Sequence, residues 1–130
     1  EKRISKGNGV GLLIKPEDCI SEIAEIIKEL NCSIFLRPHP MMSNTNKWQA
    51  LAHELDFSFS DPVLETSDKF LSNVGKVVGR MSGMHKEMLE IGGEALIISS
   101  DIAMDNYDLM SSKSSRCFET WKEAAFELNS

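Results

Sequence analysis

Short apolar runs alternate with amphipathic, helix-like runs along the chain, and this alternation restricts the fold more than any single motif does. VGLLI at 10–14, SIFL at 33–36 and ALII at 95–98 are nearly continuous apolar stretches bounded by loop-like residues. They do not alternate apolar with polar, so they read as strands covered on both faces, as in a parallel sheet between helices. Val77 and Val78 mark another strand that ends at Gly79, and residues 57–60 form a short one ended by Asp61-Pro62. Residues 116–118 can form a sixth.

Between the strands the spacing changes to that of helices. Pro16 is expected to open the first helix, where its missing N–H would be unpaired anyway, with Glu17 and Asp18 complementing the helix dipole. Ile20, Ile23, Ala24, Ile27 and Leu30 then recur on one face. A second helix is expected over 45–55, with Trp48, Leu51, Ala52 and Leu55 as its buried stripe. A short one at 66–71 is anchored by Phe70 and Leu71. Ser82 is placed to cap a fourth, with Met84, Met88 and Ile91 inward and Gly92-Gly93 as the stop. Thr120 and Glu123 form a T-x-x-E capping box for the last helix, and Trp121, Ala124, Ala125 and Leu128 form its stripe. Residues 99–115 read as a polar loop.

Strand–helix alternation of this kind predicts an α/β fold: a Rossmann-like, doubly wound parallel sheet of five to six strands with helices on both faces. The length of 130 residues fits one domain with its own core. Because the chain starts at Glu1 rather than Met, it is expected to be one domain excised from a longer two-domain chain. The net charge of −6 and the lack of a Lys/Arg run argue against nucleic acid as a partner. A small anion needs only a local cluster of donors and stays open. Three cysteines without CxxC spacing suggest neither a disulfide framework nor a zinc site, and fit a reducing compartment. No stretch approaches the ~20 apolar residues of a membrane span, and no signal peptide is visible, so the expected location is cytoplasmic.

Ligands of doubly wound sheets bind beyond the carboxyl ends of the strands. Two segments lie there. Arg37-Pro38-His39-Pro40 follows the second strand, and its two prolines are expected to end that strand at Leu36. Arg37 offers a planar fork of donors for phosphate or carboxylate, and His39 can donate to an oxygen or accept a proton. The other reading of the segment is a turn with a solvated Arg and His. Gly79-Arg80-Met81-Ser82-Gly83-Met84-His85-Lys86-Glu87 follows the fourth strand. There the free N–H groups of a first helical turn favour an anion, Gly83 permits close approach, and Ser82 can cap the helix or donate to a phosphate. Glu87, further into the helix, can accept from ribose hydroxyls. The other reading is an ordinary capped helix with a solvated His-Lys-Glu face.

Other groups carry less. His53 reads as solvated, and the seven methionines read as core filling. Asp101, Asp105 and Asp108 lack EF-hand spacing, so no metal is expected. There is no GxGxxG, no Walker A sequence and no GxSxG elbow.

Taken together, Phe35-Leu36-Arg37-Pro38-His39-Pro40 and the segment from Val77 to Gly92 resemble the carboxyl-terminal, nucleotide-binding half of GT-B glycosyltransferases. The nearest likeness is to CDP-glycerol glycerophosphotransferases and to capsular polysaccharide or sialic-acid transferases. Ser82-Gly83 with Glu87 is also similar to the UDP-N-acetylglucosamine 2-epimerases, which share the fold. The resemblance spans roughly residues 33–99. It implies that His39 contacts the nucleotide or its phosphates, that Ser82 and Gly83 start the phosphate-binding helix, and that Glu87 holds the ribose. Those transferases carry Asp and paired serines where this chain has Arg80, Ser82 and Gly83; Arg80 instead brings positive charge that suits a diphosphate. The implied function is donor binding in a transferase that moves a glycosyl or polyol-phosphate group in bacterial surface polysaccharide biosynthesis. The implied donor is CDP-, CMP- or UDP-linked, with no separate cofactor and no metal. Arg37 and His39 would give electrostatic help to the departing phosphate, and the acceptor half would come from a missing amino-terminal domain. The isolated domain is then expected to be inactive, and its parent open to peripheral membrane association. The rival readings are half of a sugar-nucleotide 2-epimerase and a non-catalytic Rossmann-like interaction or regulatory module.

Overall fold

The computed structural model describes residues 6–98 and 109–129. Strand β1 (Gly9–Ile14) leads to helix α1 (Ile20–Glu29), β2 (Ile34–Pro38), α2 (Asn46–Leu55) and the two-residue β3 (Ser58–Phe59). The second half runs α3 (Ser67–Leu71), β4 (Val74–Arg80), α4 (Gly83–Glu90), β5 (Glu94–Ile98), a 3-10 turn at Leu109–Ser111, β6 (Ser115–Phe118) and α5 (Trp121–Leu128). All neighbouring strands pair in parallel, in the order β3-β2-β1-β4-β5-β6. The chain therefore starts at the centre of the sheet, winds outward through β2 and β3, returns beside β1 with β4, and winds out the other way. This is the doubly wound α/β arrangement that the apolar runs predict.

Period-two alternation, broken in β4 by a register shift against β1 after Val74, divides the core between the two faces. Leu12, Ile14, Leu36, Val78 and Leu96 meet Ile23 and Ile27 of α1, Trp48 and Leu51 of α2, and Trp121 and Ala124 of α5. Leu13, Val74 and Val77 face the other way, onto Phe70 and Leu71 of α3 and Met88 of α4. Among the described residues no helix is long and apolar enough to cross a membrane.

Two boundaries differ from the sequence expectation, each for a local reason. Pro16 does not open α1, which begins four residues later with Cys19 at its N-cap. Residues 15–18 form a turn instead. Asp18 N–H donates to the Lys15 carbonyl at 3.0 Å, and the Lys15 N–H donates to Asp18 Oδ2 at 2.8 Å. The Asp18 carboxylate is drawn inward by further donors, which fixes that turn. The prolines after Leu36 also fail to end β2, which continues through Arg37 to Pro38. His39 N–H still reaches the Ile14 carbonyl, at 2.7 Å. Ser60 N–H bonds Leu36 C=O on the opposite side of β2. By alternation the Pro38 nitrogen faces that same side, beyond the last residue of β3, where no ladder bond is lost. The sixth strand forms over Ser115–Phe118. Asp101, Asp105 and Asp108, with most of the polar loop, lie outside the described residues.

Candidate functional site

The carboxyl ends of β1 and β2, the residues that follow them, and the start of α4 enclose a cleft of about 200 Å³. It opens where the strand order reverses, between β1 and β4, the position at which doubly wound sheets bind ligands. Lys15, Arg37, His39, Ser82 and Gly83 all line it. The two segments that carry the candidate chemistry are thus brought together on one cavity. A larger, shallower hollow of about 640 Å³ lies at the other end of the sheet, around Cys32 and Asp56, and contains none of the candidate residues. Volume alone does not make that hollow the site, because no arginine, lysine or histidine lines it.

Arg37 is 6% exposed. Its Nη1 donates to Ser60 Oγ at 2.7 Å, and Ser60 Oγ donates in turn to Glu65 Oε1 at 2.7 Å. The guanidinium carbon stands 5.4 Å from the centre of the Phe70 ring, within cation–π range. Among the described residues no carboxylate lies at ion-pair distance from it. Burial lowers the Arg37 pKa, while Glu65, Asp61 and Glu87 oppose that from further away. A guanidinium does not lose its proton in a protein, so the cleft holds a buried cation without a direct counter-ion. Glu87 of α4 is half-buried; desolvation raises its pKa, Asp68 and Glu90 push the same way, and Arg37 pulls it down.

His39 is held by the turn that its own prolines frame. Its carbonyl accepts from Met42 N–H at 3.0 Å, and its Nδ1 accepts from Met41 N–H at 3.1 Å. An Nδ1 that accepts leaves the proton of the neutral ring on Nε2, which is then the donor available to a ligand.

Ser82 occupies the N-cap of α4 with extended backbone, as its position in the sequence suggests. Its hydroxyl makes no cap bond; it lies 3.2 Å from His85 Nδ1. His85 is fully buried, and its Nε2 meets the Leu96 carbonyl of β5 at 3.0 Å. The first bond of the helix runs from His85 N–H to Ser82 C=O, so the N–H groups of Gly83 and Met84 precede the ladder. Lys15 ties the cleft together by donating from Nζ to the Met81 carbonyl at 2.6 Å.

Arg80 is not brought to the cleft. Its Nε pairs with Asp18 Oδ1 at 3.1 Å, and Trp121 Nε1 donates to the same oxygen at 2.9 Å. The charge expected to serve a diphosphate thus helps to hold the end of β4 against the α1 turn and α5.

Sequence reasoning missed Lys15, Ser60, Asp18 and His85 as parts of this assembly. Only one of them had a usable signal: His85 stands three residues after Ser82, the spacing at which side chains on a helix meet. No protein-family model matches the chain, and no curated protein matches it in sequence. Among the described residues no cluster of three or more His, Cys, Asp or Glu is placed to hold a metal ion.

Proposed function

We propose that this chain is the donor-nucleotide-binding domain of a GT-B-like transferase that moves a glycosyl or polyol-phosphate group in bacterial surface polysaccharide synthesis. The observation that carries the reading is Arg37, a buried guanidinium at the switch-point cleft with no carboxylate at ion-pair distance among the described residues. A structural arginine at that depth is normally matched by a buried acid. An anionic ligand would supply the missing charge. The Arg-Pro-His-Pro and Ser-Gly…Glu motifs add the resemblance to GT-B transferases.

In this reading the phosphates of a CDP-, CMP- or UDP-linked donor meet Arg37, His39 Nε2–H and the first-turn N–H groups of α4. Glu87 is the nearby acceptor for ribose hydroxyls. As the bond to the transferred group breaks, negative charge collects on the departing phosphate, and these donors are already oriented toward it. Such stabilisation requires no metal. The acceptor and its activating base come from the other half of the enzyme, so the chain by itself binds without turnover.

The test is an NMR titration of ¹⁵N-labelled protein with CMP, CDP, UMP, UDP and GDP. Saturable shifts gathered at residues 37–39 and 82–87 are expected, with about tenfold weaker binding in His39→Ala, the loss of one hydrogen bond to a charged group. Shifts scattered elsewhere, or none at millimolar ligand, would favour a non-catalytic module.

A further inference from the structure

His85 and Ser82 together determine what kind of ligand atom the helix start can receive. The Leu96 carbonyl can only accept, so the His85 Nε2 beside it, at 3.0 Å, carries a hydrogen. The ring is fully buried, and among the described residues no carboxylate pairs with it. Burial is the main reason that its pKa falls to about 4, and the nearby Lys15 charge lowers it further. The ring is neutral at pH 7, so Nδ1 bears only a lone pair. Ser82 Oγ, at 3.2 Å, fills that lone pair with its own hydrogen. A hydroxyl has one hydrogen to give. Once it is committed to His85, Ser82 presents only lone pairs to the cleft.

We infer that Ser82 receives a hydrogen-bond donor of the ligand, a hydroxyl or amino group, and that phosphate oxygens are bound by the neighbouring donors instead. This rests on the reading of the cleft as a nucleotide site and narrows it. A phosphate oxygen set against Ser82 would face lone pair to lone pair. His39 Nε2–H, the Arg37 guanidinium and the Gly83 and Met84 N–H groups are the phosphate donors. The cleft therefore selects phosphate esters that carry a hydroxyl or amino group near the phosphate, such as nucleoside or polyol phosphates, over inorganic phosphates. Ser82 acts in specificity, and His85 is a positioning residue that orients the serine hydroxyl.

Two measurements on the same chain test this. Long-range ¹H–¹⁵N correlations at pH 7 read which nitrogen of His85 holds the ring proton. A proton on Nε2 with bare Nδ1 is expected; a proton on Nδ1 would overturn the inference whether or not any ligand binds. Binding of inorganic pyrophosphate and of CDP is then compared in wild type, Ser82→Ala and Ser82→Thr. Ser82→Ala should weaken CDP about fivefold, roughly the value of one neutral hydrogen bond, and leave pyrophosphate within about twofold. Ser82→Thr keeps the hydroxyl and should keep CDP affinity, which separates its loss from a disturbed helix start. Equal weakening of both ligands by Ser82→Ala would overturn the inference while leaving the anion site in place. Binding of neither ligand by the wild-type chain would instead overturn the nucleotide reading and the ligand assignment with it.

Discussion

The His85 imidazole is the titrating group whose protonation the fold opposes most directly. It is fully buried, and desolvation lowers its pKa from 6.5 to about 4 against the opposing bond to the Leu96 carbonyl. An unfolded chain takes up a proton near pH 6.5 that the native chain refuses until about pH 4. Stability present above pH 6.5 is therefore lost as pH falls toward 4, at about 2 kcal/mol between pH 7 and pH 5. Glu87, whose pKa is raised by burial, works in the opposite direction over part of this range. The measurement is thus a difference. Urea unfolding at pH 7 and pH 5 is compared between wild type and His85→Gln, whose amide still donates toward Leu96. Wild type should lose about 2 kcal/mol more than the variant; equal losses would mean that the ring is already charged in the native state. At this scale Arg37, His39, Ser82 and Gly83 were legible because they directly follow strands or open a helix. Asp18 was not, nor was the pairing of Arg80 with it, and His85 offered only its spacing from Ser82. The Asp18–Arg80 and Asp18–Trp121 contacts join partners far along the chain that no local pattern announces.

Elements were more legible than residues, because burial leaves its period in the sequence wherever an element is long enough. The apolar faces of α1, α2 and α5 and the cores of β1, β4 and β5 follow directly from spacing. Misread positions cluster at prolines, where tertiary bonding overrides local preference: a buried carboxylate keeps the Pro16 turn out of α1, and the short β3 lets β2 run through Pro38. Glycines show the same division between local and tertiary causes. A Cβ on Gly79 would lie 2.4 Å from the Leu13 carbonyl oxygen, across the β1–β4 ladder. A Cβ on Gly92 would meet nothing within 4 Å, but the residue sits at φ +89°. Gly92→Ala should therefore cost about 1 kcal/mol, from backbone conformation alone. Gly79→Ala must push two paired strands apart, and should cost about 2–3 kcal/mol. Denaturant unfolding of both variants gives the order. A milder effect at Gly79 would mean that β1 and β4 can separate cheaply at the very edge of the proposed cleft.

For the whole molecule, the cleft joins the two windings of the sheet, and a ligand there should tie the stability of both to its own binding. Trp48 on α2 and Trp121 on α5 pack on the same face of the sheet, one from the β1–β3 winding and one from the β4–β6 winding. Each can report on its own side after the other is replaced by Phe. CDP at a hundred times its dissociation constant should raise the unfolding free energy by about 2.7 kcal/mol, and both tryptophans should register the same gain. Arg37→Met separates function from scaffolding in this assay. If Arg37 were a structural ion, its loss would break a buried network at a cost of about 3–5 kcal/mol. If it awaits an anion, methionine removes an uncompensated cation, keeps contact with the Phe70 ring, and leaves Ser60 bonded to Glu65. The variant should then be as stable as wild type, or about 1 kcal/mol more so, and gain nothing from CDP. A strongly destabilised Arg37→Met would assign the arginine to the core and leave the cleft without the charge on which its proposed function depends.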